Sequence, residues 1–159
     1  MPSTGPSYNH AIVVIMAARS DSPADLPDWL TGTWTARRVI NDGAGTFTGT
    51  AVFGDDGAGG LRWHEAGRLA LPSHTGEATR TYRIVADGTG AWEVQFEDGR
   101  PFHPLDLSRG RWAAEHHCGE DVYRGVYAVT GPDRFTVTWH VSGPRKDDVI
   151  ACAYARGRG

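Results

Sequence analysis

The chain has 159 residues, 40% of them hydrophobic and 22% charged, which suits one globular domain with its own core. Its formal net charge is −3, with no Lys or Arg cluster to propose nucleic acid as a partner. No apolar run approaches the ~20 residues of a membrane-spanning helix, so no membrane partner is expected. The 21 glycines, 9 prolines and 6 tryptophans point to short strands joined by tight turns. The two cysteines, Cys118 and Cys152, lie far apart in sequence and imply no disulfide. The expectation is a cytoplasmic protein with reduced thiols, as a monomer or homodimer.

Residues 1–26 are rich in Pro, Ser and Asp apart from the short apolar patch at residues 11–18, and are expected to be a flexible arm. The domain is expected over residues 27–157, opening with one helical turn capped by Asp28 that plugs one end. Strand signals follow throughout. Residues 32–40 read as a strand ending at the turn Asn41-Asp42-Gly43. Residues 46–53 alternate, with Phe47, Gly49, Ala51 and Phe53 on one side. After a glycine-rich turn, Leu61, Trp63 and Glu65 share a face. Residues 78–85 put Arg80, Tyr82 and Ile84 together, and residues 91–97 put Trp92, Val94 and Phe96 together. Asp98-Gly99 turns the chain into a segment that carries His103.

Residues 112–127 read as two strands separated by a kink at Gly119-Glu120. Trp112, Ala114, His116 and Cys118 share one face, and Asp121, Tyr123 and Tyr127 share another after the kink. Residues 134–141 alternate with Phe135, Val137, Trp139 and Val141 inward, and a last strand covers about residues 148–156. Nine or ten short strands at this spacing predict a sandwich or barrel, and hairpin-length connections favour an antiparallel up-and-down barrel without open edges.

Gly32-Thr33-Trp34 at the start of the first strand resembles the Gly-x-Trp signature of lipocalins and other calycins. That resemblance implies an all-β barrel of eight to ten antiparallel strands. It also implies that Trp34 closes one end and stacks on an arginine from the last strand, a role for which Arg156 is placed. From Leu30 to Arg156 the chain also resembles a family of single-domain bacterial proteins known as a domain of unknown function. The residues carrying this second resemblance include Phe47-x-Gly49, Glu65-x-Gly67, Arg80-x-Tyr82, Phe102-His103, His116-x-Cys118-x-x-Asp121-x-Tyr123 and Gly143-Pro-x-Lys146. It implies no particular reaction.

Polar groups on faces that otherwise read as core are the informative feature, because an unpaired buried charge is costly. Two readings are open for Glu65 and Arg80: a buried ion pair that fixes strand register, or groups that grip a polar substrate. His116 is either a satisfied core histidine or a general acid or base, with Cys118, Asp121 and Tyr123 close by. Cys118 is either a nucleophile or a small buried core cysteine, the latter being the expectation. Lys146 is either a solvated turn residue, as expected, or a cation at the barrel mouth. His103, His116, Cys118 and Asp121 are metal-ligand types, but without a second paired motif no metal site is expected. A cavity walled by Trp63, Tyr82, Trp92, Phe96, Trp112, Tyr123, Tyr127 and Trp139, with His103, would take an apolar or aromatic small molecule.

The leading functional expectation is a cofactor-free enzyme of cyclase or isomerase type. Glu65 or His116 would move protons, while Arg80, Tyr82 and Tyr123 steady developing charge. The alternative is a carrier or sensor of a small ligand, including haem held by His103, His116 or His117.

Overall fold

The structure is a computed structural model that describes residue 23 and residues 25–157. The expected arm therefore lies almost wholly outside the described residues. The chain opens with helix α1 (Leu26–Leu30) and continues through ten strands. These are β1 (Gly32–Ile40), β2 (Gly45–Asp55), β3 (Leu61–Leu71), β4 (His74–Ala86) and β5 (Trp92–Phe96). They are followed by β6 (Pro101–Leu105), β7 (Arg111–Cys118), β8 (Asp121–Gly131), β9 (Arg134–Gly143) and β10 (Lys146–Ala155). Every pairing is antiparallel, in the order β6-β5-β4-β3-β2-β1-β10-β9-β8-β7. Each strand pairs with its chain neighbour except across the β6/β7 seam, and β1 meets β10. The result is the expected all-β up-and-down barrel, with the calycin-like Gly-x-Trp motif at its start.

The inward faces follow the period-2 pattern. Trp34, Phe47, Ala51, Phe53, Leu61, Ile84, Val94, Phe135, Val137 and Tyr154 are buried, while their neighbours along each strand are more exposed. One end is closed by aromatic packing. The Arg156 guanidinium lies 4.3 Å from the Trp34 ring centre, as the motif implied. Arg156 Nη1 donates to Trp29 O at 2.6 Å, and its Nε donates to Asp133 Oδ1 at 3.0 Å. Helix α1 buries Leu26 and Leu30 against this end, and Trp34 Nε1 donates to Leu30 O at 2.8 Å. Its cap is Asp25, not Asp28: Asp25 Oδ1 accepts from the Asp28 backbone N–H at 3.1 Å. Pro27 occupies the first turn, where its missing N–H leaves no bond unmade, so the cap falls one turn earlier than expected.

The barrel is not fully closed by backbone hydrogen bonds, which corrects the expectation of a sheet without open edges. The ladder ends at β6 and β7, and no pairing joins them. Pro101 and Pro104 in β6 have no N–H to offer, which confines that strand to an edge. Side chains bridge the seam instead, with Trp112 Nε1 on β7 donating to Pro104 O at 2.7 Å. A register shift between Val94 and Gln95, opposite β6, makes Phe102 a bulge residue. Phe102 and His103 consequently both reach the interior, against strict alternation.

Gly125 on β8 lets the Trp139 ring lie flat against the strand. A Cβ there would stand 2.6 Å from Trp139 Cζ3. Gly125→Ala is expected to cost about 1–3 kcal/mol of unfolding free energy through overpacking. Urea denaturation followed by circular dichroism measures it, and an unchanged midpoint would mean that Trp139 has room to move.

Candidate functional site

The interior carries one carboxylate and two guanidiniums. Glu65 on β3 is fully buried. Its Oε1 accepts from Arg38 Nη1 at 3.0 Å, Arg38 Nη2 at 3.1 Å and Arg80 Nε at 3.0 Å. Its Oε2 accepts from Trp63 Nε1 at 2.9 Å and Tyr154 O–H at 2.6 Å. Burial alone would raise the Glu65 pKa. The charges of Arg80 and Arg38 and the hydrogen bonds from Tyr154 and Arg38 overturn that, and the carboxyl ends below its ordinary value. Glu65 is therefore an ionised anchor with its acceptor positions filled, the register-fixing reading of the two left open above. Burial pushes the nearby Cys152 thiol up, against the pull of Arg38 and Arg80.

Beyond this cluster, toward the end opposite α1, the barrel opens. A cleft of ≈ 570 Å³ is lined by Tyr82, Phe96, Arg100, Pro101, Phe102, His116, His117, Cys118 and Tyr123. Its walls come from β4, β5, the β5–β6 turn, β6, β7 and β8, so it straddles the seam. Phe96 and Phe102 stack at 4.7 Å, and Phe102 stacks on Trp139 at 5.2 Å. The His116 ring meets Phe102 edge-on at 5.1 Å and lies 6.0 Å from the Tyr123 ring. Among the described residues no hydrogen bond engages the His116 ring. A second void, ≈ 10 Å³ and water-sized, lies inside. Trp63, Arg80, Tyr82, Phe102, Tyr127, Trp139 and Tyr154 are among its lining residues, so Tyr82 and Phe102 border both spaces.

Apart from Asp121 and His103, the expected site residues thus fall into three places. Tyr82, Phe96, His116, Cys118 and Tyr123 meet at the cleft. Trp63, Arg80, Tyr127 and Trp139 line the inner void, with Glu65 bonded to Arg80. Trp92 and Trp112 lie elsewhere: Trp92 pairs with Leu105, Trp112 pairs with Tyr127, and neither lines the cleft or the void. Cys118 is exposed at the end of β7, which corrects the expectation of a buried core cysteine; Cys152 is the buried one. Lys146 is exposed at the start of β10, in keeping with the solvated reading, and its Nζ lies 3.4 Å from Asp121 Oδ2. Among the described residues, no three His, Cys, Asp or Glu side chains group as a metal site would need.

His103 is buried with both ring nitrogens engaged. Nδ1 lies 2.7 Å from Pro104 O, which can only accept, so Nδ1 carries the proton. Nε2 then accepts from Tyr127 O–H at 3.0 Å. Burial is the main force lowering the His103 pKa, to about 4.

The sequence reading missed Arg38, Tyr154, Phe102 and Arg100. Arg38 was legible, since it continues the inward parity of Trp34 and Ala36. Tyr154 likewise continues the parity of Cys152. Phe102 was not, because a bulge breaks the alternation on which its face would be assigned.

An all-β barrel with one closed and one open end is the class that these features define. The chain belongs to the "Family of unknown function (DUF6314)", which it matches over residues 30–156. No curated protein matches it. Among solved structures it is similar to the S-type phycobiliprotein lyase CPES from Guillardia theta, with a TM-score of 0.63 and 9% identity, over 91% of this chain and 97% of that one. It is also similar to a de novo designed fluorescence-activating β-barrel, with a TM-score of 0.50 and 17% identity, over 85% of this chain and 100% of the design. At these identities the likeness establishes the barrel fold.

Two outcomes follow from the buried groups. Glu65→Gln strands two guanidiniums without a counter-charge and is expected to cost about 3–5 kcal/mol in urea denaturation near neutral pH. A loss below about 1 kcal/mol would mean that water reaches the cluster. The second outcome concerns His103. Its folded pKa is depressed from 6.5 to about 4, so the unfolded chain binds the extra proton first. His103 contributes stability at neutral pH that is lost as pH falls from about 6.5 to about 4, about 3 kcal/mol in all. His103→Gln should be flatter than the wild type across that window. Parallel curves would show that His103 titrates normally.

Proposed function

We propose that this barrel binds an apolar or aromatic small molecule in the open-end cleft. The observation that carries the reading is the cleft itself: ≈ 570 Å³, walled by Tyr82, Phe96, Phe102 and Tyr123, with the His116 imidazole among them. That size and that mixture of aromatic wall with a few polar groups suit a small-molecule site. Exposed aromatic surface of this kind gains free energy when a ligand covers it. The fold likeness to a phycobiliprotein lyase and to a fluorescence-activating design is compatible with a cupped ligand, although shared fold does not carry function.

A second reading is catalysis without an organic cofactor, of cyclase or isomerase type. One observation favours it: His116 presents to the cleft, beside Tyr123, an imidazole that no described residue hydrogen-bonds, where it could give or take a proton. Glu65 does not fit the same task, because donors already surround both its oxygens. If haem were the ligand, His116 would be the residue to hold its iron. The nitrogens of His103 are engaged, and His117 Nε2 lies 2.7 Å from Glu115 Oε1. A Soret band in the purified protein would support that variant of the proposal.

Titration with N-phenyl-1-naphthylamine, a neutral apolar fluorophore, is expected to show saturable binding in the micromolar range. Phe102→Ala should weaken it about tenfold, through lost contact area. No saturable signal, or binding indifferent to Phe102, would sink the cleft as the site. Mass spectrometry of any compound retained on purification then separates the two readings. A catalyst would convert that compound, and His116→Gln would stop conversion while leaving affinity; a carrier would return it unchanged.

A further inference from the structure

Charge does not balance in the barrel interior. Arg38 and Arg80 bring two positive charges to the interior, and Glu65 alone answers them. Arg38 takes both its bonds to Glu65 through Nη1 and Nη2, and its side chain is 10% exposed. Arg80 is held differently. Only its Nε reaches Glu65, at 3.0 Å, and Nη2 makes one long contact of 3.4 Å to Tyr154 O–H. Its side chain remains 33% exposed. The outer edge of the Arg80 fork, Nη1 and most of Nη2, is therefore free. That edge is the part of a guanidinium that matches a carboxylate with two parallel hydrogen bonds.

The position of this edge links it to the cleft. The Arg80 guanidinium lies 5.2 Å from the centre of the Tyr82 ring, and Tyr82 walls both the cleft and the inner void that Arg80 lines. The other cations around the cleft also face carboxylates, but each is more exposed than Arg80, so water screens its charge. Arg100 Nε is 2.7 Å from Asp98 Oδ2, His117 Nε2 is 2.7 Å from Glu115 Oε1, and Lys146 Nζ is 3.4 Å from Asp121 Oδ2. A positive charge with a free fork, partly desolvated and beside an aromatic cleft, favours an anion there and disfavours a neutral polar group.

We infer that the ligand is an aromatic or apolar carboxylic acid, its body in the cleft and its carboxylate turned inward toward the free edge of Arg80, across the water-sized inner void that Tyr82 and Phe102 border. This rests on the reading of the cleft as a ligand site and adds the charge and orientation of the ligand. The bound carboxylate brings the interior to two positive and two negative charges. The acid group enters first and the apolar body follows, with its outer part near His116 and Tyr123.

The test compares anthracene-2-carboxylate with its methyl ester, two fluorescent probes that share one ring system and differ in charge. The wild-type protein should bind the acid about tenfold or more tightly than the ester, the expected gain from charge-assisted hydrogen bonds. Raised salt should narrow the gap, because part of the preference is electrostatic. Arg80→Gln should abolish the preference, whereas Arg100→Gln should preserve it. The wild-type comparison needs no variant, so a variant that fails to fold leaves the question answerable. Equal affinity for acid and ester would overturn the inference while the cleft reading stands. A preference that follows Arg100 would overturn it as well. If neither probe binds, the cleft reading falls and this inference falls with it.

Discussion

One buried carboxylate shared by two guanidiniums ties this barrel together. Glu65 sits on β3, opposite Arg80 on β4, and reaches Arg38 on β1 and Tyr154 on β10. Four strands are thereby joined through one side chain, besides their backbone ladders. A slip of one residue in any of them would point a charged group at solvent and leave its partners buried without it. The hydrophobic alternation already specifies which face is inside. The Glu65 cluster adds a penalty for the wrong register that apolar packing, being non-directional, does not supply. Trp63 and Tyr154 complete the shell with N–H and O–H donors, so burial leaves the carboxylate no acceptor position to waste.

The two ends of the barrel differ because their residues solve different problems. At the α1 end, Trp34 is fully buried beneath the Arg156 guanidinium, and Trp29, Phe53 and Phe135 pack around it. Arg156 also donates to the backbone carbonyls of Trp29 in the helix and of its C-cap Thr31, which fastens the plug. Among the described residues nothing comparable covers the interior at the other end. The aromatic side chains there stack on one another along the wall rather than across the opening. A closed base and an aromatic, open mouth are what distinguish a cup from a solid barrel.

Most of this architecture was legible from alternation. Trp63 and Glu65, Arg80 and Tyr82, and Trp34 beneath Arg156 all follow from a period of two combined with one short motif. What alternation could not supply was the partner of each polar group. For Glu65 and Arg80 a pair was one of two open readings, and the third member, Arg38, lies 27 residues from Glu65 in sequence on β1, brought near by the curl of the sheet across β2. Cys118 marks a second limit. It shares the parity of Trp112 and His116, yet it ends its strand and so meets solvent. Parity assigns a face; it does not say how far along the barrel that face remains covered.

Where the cavity lies has a backbone cause. Pro101 and Pro104 deny β6 the N–H groups that would zip it to β7, so the sheet parts there and side chains must fill the gap. The bulge at Phe102 turns an additional ring inward at the same point, and Gly125 lets Trp139 lie back far enough to stack on it. A bulky inward ring normally fills space. Here Phe102 stacks against Trp139 and Phe96, which lines the seam with a flat aromatic surface and leaves room in front of it. The opening is thus a product of the least regular strand in the barrel, while the charge beneath it comes from the most regular ones. A ligand spanning both would be gripped by a rigid register at one end and covered by the more adaptable seam at the other.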